Sequence, residues 1–231
     1  MSSIRGAEAC CPPTAMHRRI GRSAVEEGVE DLEPLVQRAA SGDRAAAEEL
    51  LGRCRKRLRQ MVAARMHPRL AGRCDPSDIV QDVLADALRR LPEYVTQRSL
   101  PFFVWLRQIG LDRLADYCRR HLYAQSRSVF REEDVALSDD SVAALASHLV
   151  GSSSGPYQRM MQEEAIQHLR TCLEKLRPAD RELLLMRFAE QLQIPEIAAA
   201  LAISEAAAKS RTRRALESLQ ALFGDDSGKG R

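Results

Sequence analysis

Carboxylate and guanidinium side chains at regular spacing are the main candidates for a chemical role in this sequence. Their arrangement suits binding rather than catalysis. Asp78, Gln81 and Asp82 are polar residues spaced to lie together at one end of a helix. Arginines follow at helical spacing downstream: Arg107, Arg113, Arg119 and Arg120. The acidic group can dock a protein, and guanidinium groups can neutralise the phosphates of a nucleic acid. The pattern therefore favours binding to macromolecules.

Signatures of common catalytic and metal sites are missing from the sequence. It contains no glycine-rich phosphate loop and no H-E-x-x-H. A zinc site from Cys54, His67 and Cys74 is conceivable, but this spacing matches no familiar ligand pattern. The 6 cysteines form no C-x-x-C pair and read as reduced thiols. We therefore expect no catalytic residue, no metal and no cofactor, and screening for turnover would test the enzyme alternative.

The acidic group is placed by a helix whose start is well marked. Asp75 suits the N-cap and Pro76 the first helical position. Apolar residues then recur at helical spacing and predict one buried stripe: Ile79, Val80, Val83, Leu84, Ala87, Leu88 and Leu91. Pro92 is predicted to end this helix, and Pro101 to precede the next, which carries the arginines. The residues between, Glu93 to Ser99, are predicted to form a loop.

A helix-turn-helix pattern occupies the C-terminal part of the chain. A short helix from Pro195 to Leu201 and a tight turn at Ala202-Ile203 precede the N-cap Ser204 and a long helix. Its core face is predicted from a rotation of roughly 100° per residue: Ala208, Thr212, Ala215, Leu219 and Leu222. Lys209, Ser210, Arg213 and Arg214 then point outward or lie at the flank, where they can reach phosphates and guanine edges.

Composition and patterning set the frame for these elements. Aromatic residues make up only 4%, and Ala, Leu and Arg dominate, which favours helices. The prediction is an all-α protein of two small helical domains on a flexible linker. The proposed boundaries are a disordered extension (1–31), an N-terminal helical bundle (32–121), a linker (122–157), a C-terminal four-helix domain (158–223) and a tail (224–231). A short helix at Val142, Ala143, Leu145 and Leu149 is possible within the linker.

Localisation follows from hydropathy. No apolar run approaches the roughly 20 residues that span a bilayer, and no signal peptide is recognisable at the N-terminus. We expect a soluble cytoplasmic protein without membrane insertion. The net charge of +3 is too small to identify partners by itself.

The sequence resembles a known family in these same stretches. The run DIVQDVLADALRRL followed by FFVWLRQIGLDRLADYCRRH is similar to the most recognisable part of sigma-70 family initiation factors, most of all the extracytoplasmic-function (ECF) group. AASGDRAAAEEL is similar to the opening of the conserved ECF region, and LRPADRELLLMRFAEQLQIPEIAAALAISEAAAKSRTRRAL to its upstream-element reader. The resemblance extends from about Leu32 to Phe223, except for the linker.

The resemblance implies roles for residues and partners. The implied partners are core RNA polymerase (clamp and flap), promoter DNA and an anti-sigma factor, and the implied location is the nucleoid when polymerase is bound. The clamp would bind Asp78, Gln81 and Asp82. The minus-ten element would contact Tyr94, Thr96, Gln97, Arg98, Arg107, Arg113, Arg119 and Arg120. The minus-thirty-five element would contact Ser204, Lys209, Ser210, Arg213 and Arg214.

Several alternatives stay open at this stage. The positive run from Arg53 to Arg73 is either a solvated helix face or a surface near nucleic acid or polymerase. Trp105 is predicted to pack in the core rather than to unstack bases. Ala202 stands where the family usually has glycine, which puts the promoter sequence in doubt. A stand-alone helix-turn-helix regulator is the rival function, although it leaves Asp78 and Gln81 without a role.

Overall fold

The computed structural model describes residues 32–122, 139–149 and 156–227. Their regular structure is helical, as predicted, and no helix in these ranges is long and apolar enough to cross a membrane. The elements are α1 (Glu33–Ala40), α2 (Arg44–Arg65), α3 (Pro68–Ala71), α4 (Pro76–Gln97), α5 (Phe102–Leu122), α6 (Asp139–Leu149), α7 (Pro156–Lys175), α8 (Pro178–Leu184), a π-helical turn (Leu185–Ala189), α9 (Ile194–Ala200) and α10 (Glu205–Ser227). The extension predicted at 1–31 lies outside the described residues.

Short polar side chains fix where two helices of the N-terminal unit (α1–α5) begin. The Asp43 carboxylate accepts a hydrogen bond from the Ala46 backbone N–H at 3.1 Å and starts α2. The Asp75 carboxylate accepts one from the Ser77 N–H at 2.7 Å, with Pro76 as the first residue of α4. Each carboxylate satisfies a backbone donor that has no partner within the helix. The Asp75 cap was predicted from the sequence.

The apolar stripes of the N-terminal unit meet in one core. Six of its fully buried side chains come from four different helices: Val36, Leu50, Leu58, Val62, Ile79 and Leu106. Burying each large aliphatic side chain contributes about 1.5–3 kcal/mol. Helices α2 and α5 pack closely because Gly110 has no side chain: a Cβ there would lie 2.5 Å from Cε of Met61.

The C-terminal unit (α7–α10 with the π-helical turn) has its own core. Leu169, Cys172, Leu173, Leu184 and Ala215 are almost completely buried in it. Helices α9 and α10 form the predicted helix-turn-helix, in which the Ile203 N–H donates to the Ala198 carbonyl at 3.0 Å. Ala202 takes a positive φ of 51° in the turn, a conformation that glycine adopts more easily.

The π-helical turn delivers an acidic residue to the surface that the two units share. The Glu190 N–H donates to the Leu185 carbonyl at 3.0 Å, a bond that spans one residue more than an α-helical one. The Glu190 side chain is completely buried. Nothing in the sequence pattern of this helix predicted the extra residue.

Helix α6 confirms the short helix predicted within the linker, and it packs on both units. Val142 and Leu145 are fully buried in the core of the C-terminal unit. The hydroxyl of Ser141 donates to the Ala64 carbonyl at the end of α2. Of the predicted linker 122–157, residues 123–138 and 150–155 lie outside the described residues, and its ends at 122 and 156–157 belong instead to α5 and α7.

The two units pack directly on each other. Leu183, Met186, Leu192 and Ile197 of the C-terminal unit belong to the same apolar cluster as the N-terminal core. The chain therefore adopts a closed arrangement, although its sequence pattern divides it into two helical domains.

Pro92 does not end α4, contrary to the prediction. The helix continues to Gln97, and Arg98 follows with a left-handed φ of 32°. Proline removes one helical hydrogen bond, but Leu91 and Tyr94 remain on the buried stripe, and their burial favours continuation. The predicted loop from Glu93 to Ser99 is therefore wrong for its first five residues. Leu88 was placed on the stripe but is 40% exposed.

Candidate nucleic-acid interface

The acidic start of α4 presents the predicted polymerase-binding residues to solvent. Asp78, Gln81 and Asp82 are all exposed in the first turns of the helix. Asp82 also accepts a hydrogen bond from the Tyr117 hydroxyl of α5 at 2.8 Å. That bond, with burial and the negative charge of Asp82, raises the pKa of Tyr117 to about 12. Asp82 is thus held against α5, whereas Asp78 and Gln81 lie on the open surface.

The segment predicted to contact a base is the last helical turn of α4 and its cap. Thr96 and Gln97 are exposed, and the Thr96 hydroxyl donates to the Pro92 carbonyl at 2.9 Å. Gln97 donates to the Glu93 carboxylate at 3.1 Å. Arg98, at the left-handed cap position, is exposed and pairs with Glu33 of α1. These side chains remain accessible, so their contact with DNA stays a prediction.

Tyr94 differs from its neighbours because it is buried. Its ring packs 4.6 Å from that of Trp105 and 5.6 Å from that of Phe102, measured between centroids. The hydroxyl donates to the Leu100 carbonyl at 2.9 Å, and burial raises the Tyr94 pKa. In this arrangement the ring supports the connection from α4 to α5, and it is not available for stacking on a base. Trp105 packs against this cluster, as the core interpretation predicted.

The arginines of α5 divide into an engaged pair and an exposed pair. Arg107 is buried, contrary to the prediction that it faces solvent, because carboxylates of the C-terminal unit cover it. Arg113 pairs with the buried carboxylate of Asp86 on α4. Arg119 and Arg120 are exposed, and Arg119 also pairs with Asp116. Only this second pair is presented to solvent as predicted.

Helix α10 presents the predicted cationic face. Lys209, Arg213 and Arg214 are exposed, and Ser210 is half-buried at its edge. The opposite side is buried as predicted from the helical rotation at Ala208, Thr212, Ala215 and Leu219, whereas Leu222 is only half-buried. Ser204 caps the helix, its hydroxyl accepting from the Ala207 N–H at 3.2 Å. The structure also exposes Arg211, a further cation of this helix that the sequence interpretation left out.

The basic residues of α2 and α3 fall into two groups, one exposed to solvent and one in contact with the C-terminal unit. Arg53, Arg55, Lys56 and Arg59 are exposed on α2. Arg57 instead donates to the Glu196 carboxylate of α9 at 2.5 and 2.9 Å, and its guanidinium lies 3.7 Å from the centroid of Phe103. The run therefore combines a solvated face with groups that hold the C-terminal unit.

A buried ion cluster that the sequence interpretation missed joins the two units. Arg65 donates to Glu182 at 2.6 and 2.8 Å and to Glu190 at 2.6 Å. Arg107 donates to Glu190 at 2.5 and 3.2 Å. The exposed fractions of the Arg65, Arg107 and Glu190 side chains are only 9%, 6% and 0%. We call Arg65, Arg107, Glu182 and Glu190 the closing ion cluster.

Electrostatics keep the closing ion cluster charged. Burial alone would raise the pKa of Glu190, but the two guanidinium groups and their hydrogen bonds together hold that pKa below its usual value. Burial likewise opposes the charge of Arg65, and Glu190 and Glu182 outweigh it, so that the Arg65 pKa is raised. No sequence spacing identifies such a cluster, since its members are far apart in the chain.

The described residues contain no group of three or more His, Cys, Asp or Glu side chains placed to hold a metal ion. Cys54 is buried in the apolar core, and this burial raises the pKa of its thiol to about 11. The conceivable zinc ligands Cys54, His67 and Cys74 therefore do not form such a group.

Comparisons with known proteins agree with this geometry. The family "Sigma-70, region 4" matches residues 166–219, which include the helix-turn-helix. RNA polymerase sigma factor NccH of Alcaligenes xylosoxydans xylosoxydans is 29% identical over 195 residues, covering 83% of this chain and 94% of that protein. ECF RNA polymerase sigma factor SigD of Mycobacterium bovis is 27% identical over 191 residues, covering 83% of each.

A solved structure supports the same assignment across both units. CnrH, solved in complex with the cytosolic domain of CnrY, superposes with a TM-score of 0.50 at 25% identity, covering 85% of this chain and 99% of that one. ECF RNA polymerase sigma factor BldN of Streptomyces coelicolor is 25% identical over 206 residues, covering 89% of this chain and 71% of that protein. The helix-turn-helix, the helical fold and these similarities together support an ECF-type factor of the sigma-70 family.

Proposed function

We propose that this chain is a dissociable subunit of bacterial RNA polymerase that directs promoter recognition, strand opening and transcription initiation. The observation that carries the proposal is the exposed cationic face of α10, because it lies on the second helix of a helix-turn-helix inside the region that matches the family. Such a helix enters the major groove, where arginine pairs with guanine and lysine with phosphate.

The C-terminal unit, residues 158–223, is the proposed reader of the minus-thirty-five element. Lys209, Arg213 and Arg214 would contact bases or phosphates, and Ser210 would approach the backbone from the edge of the face. Ser204 would contribute at the helix start, where the backbone N–H groups favour a phosphate. The flap of the polymerase is the proposed docking surface of this unit.

The N-terminal unit, residues 32–121, is the proposed polymerase-binding and promoter-melting part. Asp78, Gln81 and Asp82 would bind the polymerase clamp. Five accessible side chains would hold the melted minus-ten strand together with Arg113: Thr96, Gln97, Arg98, Arg119 and Arg120. Tyr94 would support this segment from beneath, given its burial against Trp105.

The remaining features of the proposal follow from this role. The polymerase carries out the chemistry, so we expect no catalytic residue and no cofactor in this chain. The proposed location is the bacterial cytoplasm, at the nucleoid when polymerase is bound. An anti-sigma factor is a proposed regulatory partner; CnrH, to which the chain is similar, was solved with the cytosolic domain of CnrY.

Transcription with purified components tests the proposal. Core polymerase alone and core polymerase with this chain would be compared on a library of genomic fragments from the source organism, and run-off transcripts would be sequenced. We expect specific start sites only when the chain is present. Tight, sequence-specific DNA binding by the chain alone, with no effect on core polymerase, would instead identify a stand-alone regulator.

A further inference from the structure

The closing ion cluster lies between the N-terminal and C-terminal units, which in the proposed function bind different promoter elements. If the two units read the minus-ten and minus-thirty-five elements, their targets are about 25 base pairs apart, or about 85 Å along B-form DNA at 3.4 Å per base pair. A compact chain of this length has a radius of gyration of about 17 Å and spans about 45 Å. The closed arrangement cannot reach both elements together.

We propose that this structure is a closed, inactive state of the free chain, and that the closing ion cluster holds the C-terminal unit over an arginine-rich face of α2 and α5. The inactivity, although not the closure, rests on the proposed function. The face consists of Arg57, Arg65 and Arg107, and each is paired with a carboxylate of the C-terminal unit.

The chemistry of the contact suits a reversible closure. Two arginines of the N-terminal unit meet two glutamates of the C-terminal unit, so the cluster has no net charge while it is closed. Removing such charges from water offsets much of their attraction, so a buried ion pair fixes one geometry without adding much stability. When the units separate, water solvates all four groups again, and opening leaves no buried charge unpaired.

The closed state also conceals positive charge from a phosphate backbone. Arg57 is covered by Glu196 and Phe103, and Arg107 by Glu190. On opening, the acids leave with the C-terminal unit and the three arginines remain on the N-terminal one. The recognition helix is different, because Lys209 and Arg213 are exposed even in the closed state. Closure therefore covers the arginine-rich face of α2 and α5 and prevents the span between the units, whereas the α10 face and the exposed side chains at the end of α4 stay accessible.

Neutralising the acids of the cluster tests the proposal on the full chain. Glu182→Gln with Glu190→Gln leaves both arginines without a charged partner in the closed state, while the opened state is unaffected. The matched control, Glu163→Gln with Glu174→Gln, removes the same charge from exposed positions of the same unit. Small-angle X-ray scattering would report the radius of gyration, with circular dichroism to confirm that helicity is retained.

We expect the radius of gyration to rise by several ångströms in the cluster variant and to remain at the wild-type value in the control. Binding to a 30-base-pair duplex should become more salt-dependent in the cluster variant, with a log–log slope steeper by roughly two to three, as three added phosphate contacts require. A cluster variant as compact as the wild type would overturn the proposal.

A second variant approaches the cluster from the other unit. Arg65→Gln with Arg107→Gln should expand the chain equally, but without the steeper salt dependence, because two of the uncovered charges are then missing. If the glutamate variant loses helicity, the arginine variant still tests whether the cluster holds the chain closed. If both variants expand but the chain does not bind core polymerase, the result would support the closed state and reject the proposed function. Equal salt slopes in the two expanded variants would reject the concealed arginine face.

Discussion

At the scale of single residues, the proposed function depends on which polar side chains reach the surface. Asp78 and Gln81 do so at the start of α4, and Lys209, Arg213 and Arg214 do so on α10. Asp82 is exposed as well, but it is oriented by the Tyr117 hydroxyl. A protein partner would meet the first group, and a nucleic acid the second, since carboxylates repel phosphates and guanidinium groups attract them.

Replacing Asp78 and Gln81 by Ala should weaken binding to core polymerase by about 2–4 kcal/mol, the range of interface hot spots. Both side chains are exposed, so helicity should not change. Titration of labelled core polymerase would measure the affinity, with Glu93→Ala as a control at the other end of the same helix. An affinity equal to that of the wild type would exclude this surface as the polymerase contact.

The sequence predicts side-chain exposure correctly where the exposure depends on a single helix. The rotation of α10 fixes the outward positions of Arg213 and Arg214. It failed for Arg107 and Tyr94, because their burial depends on contacts with other elements, Glu190 on the π-helical turn and Leu100 before α5. Those contacts join different elements and therefore produce no periodic pattern in the sequence.

At the scale of elements, the tight turn between α9 and α10 carries strain. Ala202 has φ 51°, which places its Cβ close to the following carbonyl, and its side chain is exposed. Glycine avoids this contact and suits the turn better. The family resemblance predicts glycine at this position, and the positive φ gives the physical reason.

Ala202→Gly should therefore stabilise the C-terminal unit by about 0.5–1 kcal/mol. The control Ala221→Gly, at an exposed helical position of α10, should destabilise it by about 1 kcal/mol. Chemical denaturation followed by circular dichroism would measure both. Destabilisation by Ala202→Gly of the same size as in the control would contradict the strain at this turn.

The sequence predicts the helix starts and the apolar stripes largely correctly, whereas it does not predict the helix ends. Asp75 with Pro76 marked the beginning of α4 because a cap is a local interaction. Pro92 predicts a helix end, but the helix continues because Tyr94 and Val95 pack against the core beyond it. The π-helical turn was not predictable either, since its extra residue serves the contact of Glu190 with the other unit.

At the scale of the whole molecule, the proposed function divides the work between the two units, which the closing ion cluster joins in this structure. The cluster requires Glu190 to be ionised, and its pKa in the closed state lies below the usual glutamate value of 4.5. A depressed carboxyl pKa stabilises the closed state at pH values above the usual one. That contribution is lost as the pH falls through the Glu190 pKa of the closed state.

Acid should therefore open the wild-type chain below about pH 4.5, the usual glutamate range. Scattering between pH 7 and pH 3, with helicity followed in parallel, would show the radius of gyration rising as the pH falls. The Glu182→Gln and Glu190→Gln variant should be expanded at every pH. A wild-type chain that opened between pH 7 and pH 5 would point to groups other than these carboxylates.

In the proposed function, one unit captures the upstream duplex and the other holds the melted strand. Run-off transcription on two templates separates these two roles. Arg213→Ala with Arg214→Ala removes two base contacts worth roughly 1–3 kcal/mol each. Thr96→Ala with Gln97→Ala weakens the hold on an extruded base, and Arg44→Ala serves as an exposed control. Transcript yield would be compared on a duplex promoter and on the same promoter with a pre-melted bubble. We predict that the bubble restores the Thr96 and Gln97 variant but not the Arg213 and Arg214 variant, and equal rescue of both would contradict the division of labour.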